Sequence, residues 1–491
     1  MTSNRQKGTT KILVVLNNHN SFGIVDLCID LSRQNTSIVV DTVCTPGFAM
    51  ANMGNFEKRG LSPRFLEPRA EFGAEAPSPA LSGFMAIEHD ARTGTRSKGV
   101  VSWLKTLAIK QVLNSSAYAA AREWWIVRRF RQKQKQALCL LAQLKPDVVL
   151  SLSDRSHDYV EGPVLWAARK TGIRIVLPYV AQFDIDAAIA YRHGADGQPD
   201  PDLCPFKELT LYKLLTYRRL REQVYRGLFF QAAYILNAAS RVGILSSYPW
   251  WTGNGLSNVV CVDSRYTEEQ YVKHRVPREK LVVLGHVQLD RVFHSHLKRE
   301  TLRASLIQQY QLDNKKTLLI LSMPQFAEQG YMSWAEHWRE IDEIIGNVNK
   351  AGQNLLLSIH PRSDAGQYRY LEKRFKCCIV GQPLADVIGA ADIFLASNST
   401  TFAWSVLCGI PTIGLKSPVT FLWGHLPSIQ QVDSSEMLAT TIHNTMSTEP
   451  IDFSRDWEAL SRNEVFDGKC GERFWSLLSS EAPQFTKVTT K

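Results

Sequence analysis

The chain has 491 residues, of which 44% are hydrophobic and 21% are charged, with a formal net charge of +10. This length exceeds one ordinary hydrophobic core and predicts two or three domains, while the composition excludes a mostly disordered or coiled-coil chain. No window approaches the roughly 18 uncharged apolar residues that a membrane helix needs, and the N-terminal apolar run is too short for a signal peptide. We therefore expect a cytoplasmic protein.

The nine cysteines are scattered along the chain, and no Cys-x-x-Cys pair occurs. This usage predicts reduced thiols rather than a disulfide framework or a zinc site. We expect no metal and no cofactor.

The first segment, "KILVVLNNHNSFGIVDLCIDLSRQNTSIVVDTV", predicts strand, loop, helix and strand, which is a parallel α/β unit. The following region, about 54–145, predicts an irregular and then helical insertion. Strand-helix alternation returns with "PDVVLSLSD", "EGPVLWAARKTG" and "IRIVLPYV", where Gly172 would end the helix. Short strands follow in "NVVCVDS" and "KLVVLGH".

A second series of apolar strands begins at "KKTLLILSMP" and continues through "QNLLLSIHP", "DIFLAS" and "PTIGL". Nearly continuous apolar strands that alternate with helices are typical of parallel sheets covered on both faces. We predict an α/β protein with two doubly wound, Rossmann-like domains that face a cleft, at 1–300 and 301–480, followed by a flexible tail at 481–491.

Two stretches combine basic and aromatic residues, "AREWWIVRRFRQKQKQ" and "YKLLTYRRLREQVYRGLFF". Such helices can lie on an anionic membrane surface, with aromatic rings in the interface and cations at the headgroups. They can equally be solvated helices whose tryptophans pack into the core. Because no nucleic-acid recognition motif accompanies the charge, we expect no nucleic-acid partner.

Clusters of polar residues follow the predicted strands. Ligands of parallel α/β sheets bind at the carboxyl ends of the strands, so these clusters are the candidate site residues. These clusters are Asn17 to Ser21, Ser153 to Asp158, Gly285 with His286, Ser322 to Gln325, His360 to Asp364, and Ser397 to Thr401.

In "ADIFLASNSTTFAWSVLCGIPTIGL" a strand ends on five hydroxyl and amide side chains before a helix. Free N–H groups and hydroxyls at that point predict a phosphate site, with a plain helix cap as the alternative. In "LLLSIHPRSD", His360 and Arg362 would supply hydrogen bonds and positive charge to the same phosphate. The predicted phosphate-binding residues of the cluster are Ser397, Asn398, Ser399, Thr400 and Thr401.

The stretches "SIHPR", "GQPLADVIGAADIFLASNSTTFAWSVLCGIPTIGL" and "VCVDSRYTEEQYVKHRVPREKLVVLGHVQLD" resemble GT-B type glycosyltransferases and the related hydrolysing UDP-N-acetylglucosamine 2-epimerases. "FDGKCGERFWSLL" resembles their final helix, so the likeness covers residues 255–478. It implies that His360 contacts the donor phosphate or ribose, that Ser399, Thr400 and Thr401 bind phosphate, and that Gln382 and Pro383 lie by the base.

The His-Pro pair with a downstream Ser/Thr cluster is also similar to CMP-sugar users such as bacterial sialyltransferases and Kdo transferases. UDP-sugar enzymes of this fold usually carry a glutamate on the helix after the phosphate loop, whereas Trp404 and Ser405 stand there in this chain. The resemblance therefore favours a CMP- or CDP-linked donor over UDP. Asp154 matches the first acid of the epimerases, but "PYVAQF" has none at the second, which ranks epimerase below transferase.

We accordingly expect a metal-independent glycosyltransferase that moves a sugar from a CMP- or UDP-linked donor to a surface-glycan or lipid-linked acceptor, as in capsule or lipopolysaccharide synthesis. Donors such as His360, Arg362 and the Gly285 backbone would stabilise the leaving phosphate. His286, next to Gly285, is a further predicted nucleotide or phosphate contact. Asp154 is the first candidate for general base, with His19 or His157 next, although Asp154 can equally cap a helix.

Three alternatives remain open at this point. A histidine in each predicted domain, His19 or His286 opposite His360, would also suit a CDP-glycerol type glycerophosphotransferase. The others are the hydrolysing 2-epimerase and an inert GT-B-like protein that binds a nucleotide sugar or a partner.

Overall fold

The computed structural model describes residues 9–17, 21–34, 38–66, 115–155, 160–179, 185, 189, 201–206, 210–328, 331–361, 363–397, 399–417, 423–448 and 450–480. These residues form two compact units. The first unit comprises 1–21, 37–177 and 199–258, and the second comprises 22–36, 178–198 and 259–491. His19, His157, Arg362 and Asn398, all predicted site residues, lie outside the described residues.

The strands are β1 (Thr10–Leu16), β2 (Ile38–Cys44), β3 (Val148–Leu150), β4 (Arg174–Leu177), β5 (Val224–Tyr225), β6 (Leu228–Phe229), β7 (Val259–Val262), β8 (Leu281–Val283), β9 (Leu318–Ser322), β10 (Asn354–Ser358), β11 (Cys378–Ile379), β12 (Ile393–Ala396), β13 (Thr412–Gly414) and β14 (Ile429–Gln431).

The helices are α1 (Ser21–Gln34), α2 (Pro46–Ala51), α3 (Met53–Glu57), α4 (Ser116–Leu144), α5 (Glu161–Thr171), α6 (Leu211–Leu220), α7 (Ala233–Val242), α8 (Arg265–Lys273), α9 (Leu289–Leu297), α10 (Arg299–Gln309), α11 (Trp334–Asn349), α12 (Ala365–Tyr368), α13 (Tyr370–Arg374), α14 (Leu384–Val387), α15 (Thr401–Leu407), α16 (Leu438–Ser447), α17 (Ser454–Ala459), α18 (Arg462–Val465) and α19 (Cys470–Ser479). Short 3-10 turns occupy Pro201–Leu203, Arg221–Gln223, Arg278–Lys280, Ile388–Ala390 and Ser435–Met437.

Two six-stranded sheets organise the fold, with strand orders β2-β1-β3-β4-β7-β8 and β11-β10-β9-β12-β13-β14. The paired strands run parallel, for example Leu13 with Val149 and Leu319 with Ile393. A two-stranded antiparallel hairpin, β5 with β6, stands apart from both sheets. The predicted α/β fold class with two parallel sheets is confirmed.

The second sheet is buried on both faces, as its apolar strands predict. Leu318 and Ile320 of β9 pack into one hydrophobic cluster, and Leu319 and Leu321 pack into another. Successive side chains of a strand point to opposite faces, so the two clusters are the two covered faces of this sheet.

Local sequence signals set several helix ends. Ser333 and Glu336 form a capping box at the start of α11, and Ser115 accepts a hydrogen bond from the Tyr118 N–H at the start of α4. Gly172 ends α5 in the left-handed conformation, as predicted. Among the described residues, no helix is both long enough and apolar enough to cross a membrane.

Candidate functional site

The strand-end cavity, as we call it, lies within the second unit. It is lined by Tyr179, Asp263, His286, Leu289, Thr400, Ala403, Trp404, Leu407 and Leu460. Among these residues, His286 and Thr400 are two of the predicted nucleotide or phosphate contacts. The structure therefore brings together two residues that lie more than a hundred positions apart in the sequence.

The polar residues of the cavity come from the carboxyl ends of strands. Asp263 directly follows β7, and Tyr179 and His286 follow β4 and β8 within a few residues. Thr400 lies between β12 and the first turn of α15. Ligands of open parallel sheets bind at this edge, so the position of the cavity agrees with the predicted position of a site.

Gly285 shapes the loop that carries His286. Its φ of +94° lies in a region that L side chains rarely adopt, and a Cβ there would lie 2.9 Å from Cδ1 of Leu289. The Gly285 N–H donates to the Val262 carbonyl oxygen at 3.3 Å. Its backbone amide, expected to face the leaving phosphate, thus serves to hold the loop in this structure.

His286 is buried, and a neighbouring backbone N–H determines the tautomer of its ring. The Gln288 backbone N–H donates to Nδ1 at 3.0 Å, so the neutral ring carries its proton on Nε2. The ring meets Trp404 edge-on at a centroid distance of 5.1 Å and Tyr179 at 6.0 Å. His286 is therefore set up as a hydrogen-bond donor rather than as a proton acceptor at Nε2.

Asp263 places a buried carboxyl group in the same cavity. Burial raises its pKa, and this outweighs the hydrogen bonds from Thr267, Ser264 and Tyr179, which act in the opposite direction. Burial, and then the nearby Asp263 charge, hold the pKa of Tyr179 well above its usual range. A carboxyl whose proton is held more tightly than usual is suited to acid-base work.

Trp404 forms one wall of the cavity with Ala403 and Leu407, all on α15. This is the helix on which the resemblance predicts a ribose-binding glutamate for a UDP-sugar enzyme. The wall that α15 contributes is consequently mainly apolar, apart from the Thr400 hydroxyl before the helix.

His360 lies elsewhere in the second unit, in a turn where its carbonyl accepts from the Ser363 N–H at 2.9 Å. Hydrogen bonds to Glu328 join this turn to the loop after β9. Glu328 Oε1 accepts hydrogen bonds from the Ser363 hydroxyl at 2.7 Å and from the Tyr368 hydroxyl at 2.9 Å. Fully buried His337 in turn lies 3.2 Å from the Tyr368 hydroxyl. We call Glu328, His337, Ser363 and Tyr368 the Glu328 cluster.

The other predicted phosphate residues lie beside the cavity rather than among its lining residues. The Ser399 hydroxyl accepts from the Thr401 N–H at 3.3 Å and from the Thr401 hydroxyl at 2.9 Å, while Thr400, the N-cap of α15, makes no side-chain cap hydrogen bond. Ser397 is half-buried just after β12. Phosphate binding by Ser397, Ser399 and Thr401 stays a prediction.

Gln382 and Pro383, expected beside the base, border α14 of the second unit. The Gln382 Oε1 accepts from the Tyr310 hydroxyl at 3.0 Å, and its amide donates to Gln309 at 2.9 Å. These bonds tie Gln382 to the end of α10. Its contact with a base stays a prediction.

Asp154, the first candidate for general base, lies buried in the first unit. Its carboxylate accepts from the N–H groups of Gly253, Gly255 and Ser257 at 2.8, 2.9 and 3.2 Å, and from the Ser257 hydroxyl at 2.6 Å. A Cβ on Gly255 would lie only 2.0 Å from the Asp154 carbonyl oxygen. These contacts favour the structural alternative, in which Asp154 holds the loop 253–257.

Sequence reasoning did not single out Tyr179, Asp263 or Glu328. Tyr179 and Asp263 carried a usable signal, since each follows an apolar strand. The Glu328 cluster carried none, because its members are distributed over two loops and two helices that only the fold brings together.

The chain matches no protein-family model, and no curated protein matches it. Solved structures do resemble it. UDP-GlcNAc 2-epimerase from Methanocaldococcus jannaschii is 13% identical with a TM-score of 0.47, over 96% of this chain and 99% of that chain. UDP-GlcNAc 2-epimerase from Neisseria meningitidis, bound to UDP-GlcNAc, is 11% identical with a TM-score of 0.48, over 96% and 100%. Acinetobacter baumannii MurG is 12% identical with a TM-score of 0.44, over 96% and 99%. At these identities and TM-scores, the likeness assigns no activity to this chain.

Proposed function

We propose that the protein transfers a sugar from a nucleotide-linked donor to a hydroxyl acceptor. The observation that carries the proposal is the meeting of His286 and Thr400 in one cavity at the carboxyl ends of β8 and β12. Both residues are hydrogen-bond donors, and both follow strands of parallel sheets, where phosphate-bearing ligands bind.

In the proposed reaction the bond between the sugar C1 and the donor phosphate oxygen breaks, and the nucleotide leaves with the electron pair. The acceptor oxygen bonds to C1 and releases its proton to a base. The Nε2–H of His286 and the Thr400 hydroxyl would donate to the phosphate oxygens as negative charge develops there. His360, Arg362, Ser397, Asn398, Ser399 and Thr401 remain further proposed phosphate contacts.

The Gln288 N–H supports this role for His286, because it occupies Nδ1 and leaves the proton on Nε2. A donor fixed before the reaction needs no reorganisation when charge develops, and removing one such donor typically slows turnover about 100- to 1,000-fold. His286→Ala should therefore lower turnover by this factor. His294→Ala, which removes an exposed histidine of the adjoining helix, is the matched control.

A hydrolysing 2-epimerase is the second candidate, and Asp263 is the observation that favours it. The sequence lacked a second carboxyl for proton transfer at the expected strand end, and Asp263 places one with a raised pKa in the cavity. A carboxyl of this kind can take up and return a proton during turnover.

One assay separates the candidates. CMP-, CDP- and UDP-linked sugars and CDP-glycerol are incubated with the protein, and free nucleotide and sugar are measured with and without a lipid-linked or glycan acceptor. A transferase releases nucleotide in proportion to acceptor. An epimerase releases UDP and the 2-epimeric sugar without acceptor, and that result would overturn transfer. Binding without release would identify an inert nucleotide-sugar-binding protein.

A further inference from the structure

The helix α6 presents three large apolar side chains to solvent. Leu211, Leu214 and Leu215 are 66%, 43% and 57% exposed. Their spacing of three and four residues places them on one face of the helix. Side chains of this type are usually buried, so a cluster of them on one rigid face indicates an interaction surface.

The opposite face of α6 is firmly packed, so the leucine face has a fixed outward direction. Thr216 and Leu220 are buried, and the Tyr212 N–H donates to the Ser116 hydroxyl at 3.2 Å. The Tyr212 hydroxyl donates to buried Glu123 of α4 at 2.5 Å. The helix is thereby held against α4 within the first unit by apolar and polar contacts.

Positive charge surrounds the leucines. Arg218 continues the same face one turn further on, and Arg219 and Arg221 follow. Over residues 211–222 the one acidic residue is Glu222. Lys213 lies within the same helix. An apolar stripe bordered by cations has the chemistry of a surface that meets an anionic lipid layer.

The neighbouring helix α4 carries a second stripe of the same chemistry. Trp124, Arg128, Arg131 and Lys135 are all exposed, and intervals of four, three and four residues place them on one face. Trp124 is 64% exposed, with the Arg128 guanidinium 5.8 Å from its ring centroid. A tryptophan in this position has an amphipathic ring that suits the headgroup region.

We propose that these two stripes dock the protein on an anionic phospholipid bilayer, with the leucines and Trp124 in the interface and the arginines and lysines at the headgroup phosphates. We call them the basic-apolar stripes. Their charge excess of one sign favours lipid over a second copy of the chain, since two identical basic surfaces repel each other. The proposal does not depend on the reaction that the protein catalyses.

Flotation of the full-length protein tests the proposal. Vesicles of three parts phosphatidylcholine to one part phosphatidylglycerol should carry the protein upward at low salt, and vesicles of phosphatidylcholine alone should carry at least tenfold less. The variant with Leu211→Ser, Leu214→Ser and Leu215→Ser should bind anionic vesicles at least tenfold more weakly. Leu297→Ser removes a leucine that is 65% exposed in the second unit and should bind like the parent.

A second set of variants tests the contribution of the basic side chains to vesicle binding. Arg128→Gln, Arg131→Gln and Lys135→Gln together should weaken anionic-vesicle binding about tenfold or more, and raising the salt should weaken parent binding in the same way. Unchanged binding of the leucine variant, with unchanged circular dichroism, would overturn the proposal. So would a leucine variant that alters sedimentation of the protein alone, since that result assigns the basic-apolar stripes to self-association.

Discussion

Asp154 shows that an acidic residue at a strand end can stabilise a loop instead of acting in catalysis. Both of its carboxylate oxygens accept hydrogen bonds from the loop 253–257, including three backbone N–H groups. An asparagine has a single acceptor oxygen, so Asp154→Asn should leave part of this set unsatisfied. Each buried N–H without an acceptor costs about 1–3 kcal/mol.

We therefore expect Asp154→Asn to lower the melting temperature and turnover together, with a loss of stability of about 2 kcal/mol or more. Chemical denaturation and initial rates on the same preparation measure both quantities. Asp41→Asn, at a partly exposed ion pair with Arg64 in the same unit, is the control. A variant with parental stability and abolished turnover would instead make Asp154 the general base.

Trp404 and His286 show what residue patterns can and cannot establish. The sequence singled out His286 as a strand-end residue and Trp404 as a residue of the helix after the phosphate loop, but it could not tell that their rings would meet. That contact depends on which strand ends and helices become neighbours, which is a property of the fold. For the same reason the sequence did not single out Asp263, although it directly follows a predicted strand.

At the scale of elements, the Glu328 cluster joins the loop after β9 to the turn after β10. The Tyr368 hydroxyl donates to Glu328, so His337 must donate to Tyr368 through its Nε2–H. Burial lowers the pKa of His337, and the Glu328 carboxylate opposes this shift less strongly. In the folded protein the cluster thus keeps His337 neutral to a lower pH than an unfolded histidine.

This arrangement predicts a pH dependence of stability. An unfolded histidine takes up a proton below about pH 6.5, whereas folded His337 does so only at lower pH. Over that interval the unfolded state binds more protons, so the folded state should lose stability as the pH falls below about 6.5. His337→Gln keeps a side-chain donor for Tyr368 and removes the titration.

Melting temperatures at pH 7.5 and 5.5 measure this effect. The parent should lose more stability on acidification than His337→Gln, and the exposed His443→Gln variant should follow the parent. Equal acid sensitivity of parent and His337→Gln would contradict a neutral buried His337.

Among the elements, the long apolar strands were the most predictable and the shortest strands the least. Alternate residues of β9 pack on two sides of a parallel sheet, which its uninterrupted apolar sequence predicts. The hairpin of β5 and β6 was missed, because strands of two residues carry no alternation. Arg226 and Gly227, both with positive φ, form its turn and were the only local signal in that segment.

At the scale of the whole molecule, the proposed function is tested by which nucleotide binds the folded protein. A ligand that binds only the folded protein stabilises it by about 2.7 kcal/mol at a concentration of 100 times its dissociation constant. Trp404 and Ser405 stand on α15 where the resemblance predicts a ribose-binding glutamate for a UDP-sugar enzyme, so we propose a CMP- or CDP-linked donor. CMP or CDP should therefore raise the melting temperature more than UDP or GDP.

The same panel, run in EDTA and again in magnesium, tests the predicted metal independence. If side-chain donors such as His286 and Thr400 contact the phosphate directly, the nucleotide-induced shift should be equal in both buffers. His286→Ala should reduce the shift, while His294→Ala should keep it. A shift that appears only with magnesium would show that the phosphate is held through a metal ion. A shift with UDP alone would overturn the preference for a CMP- or CDP-linked donor, although it would still establish nucleotide binding.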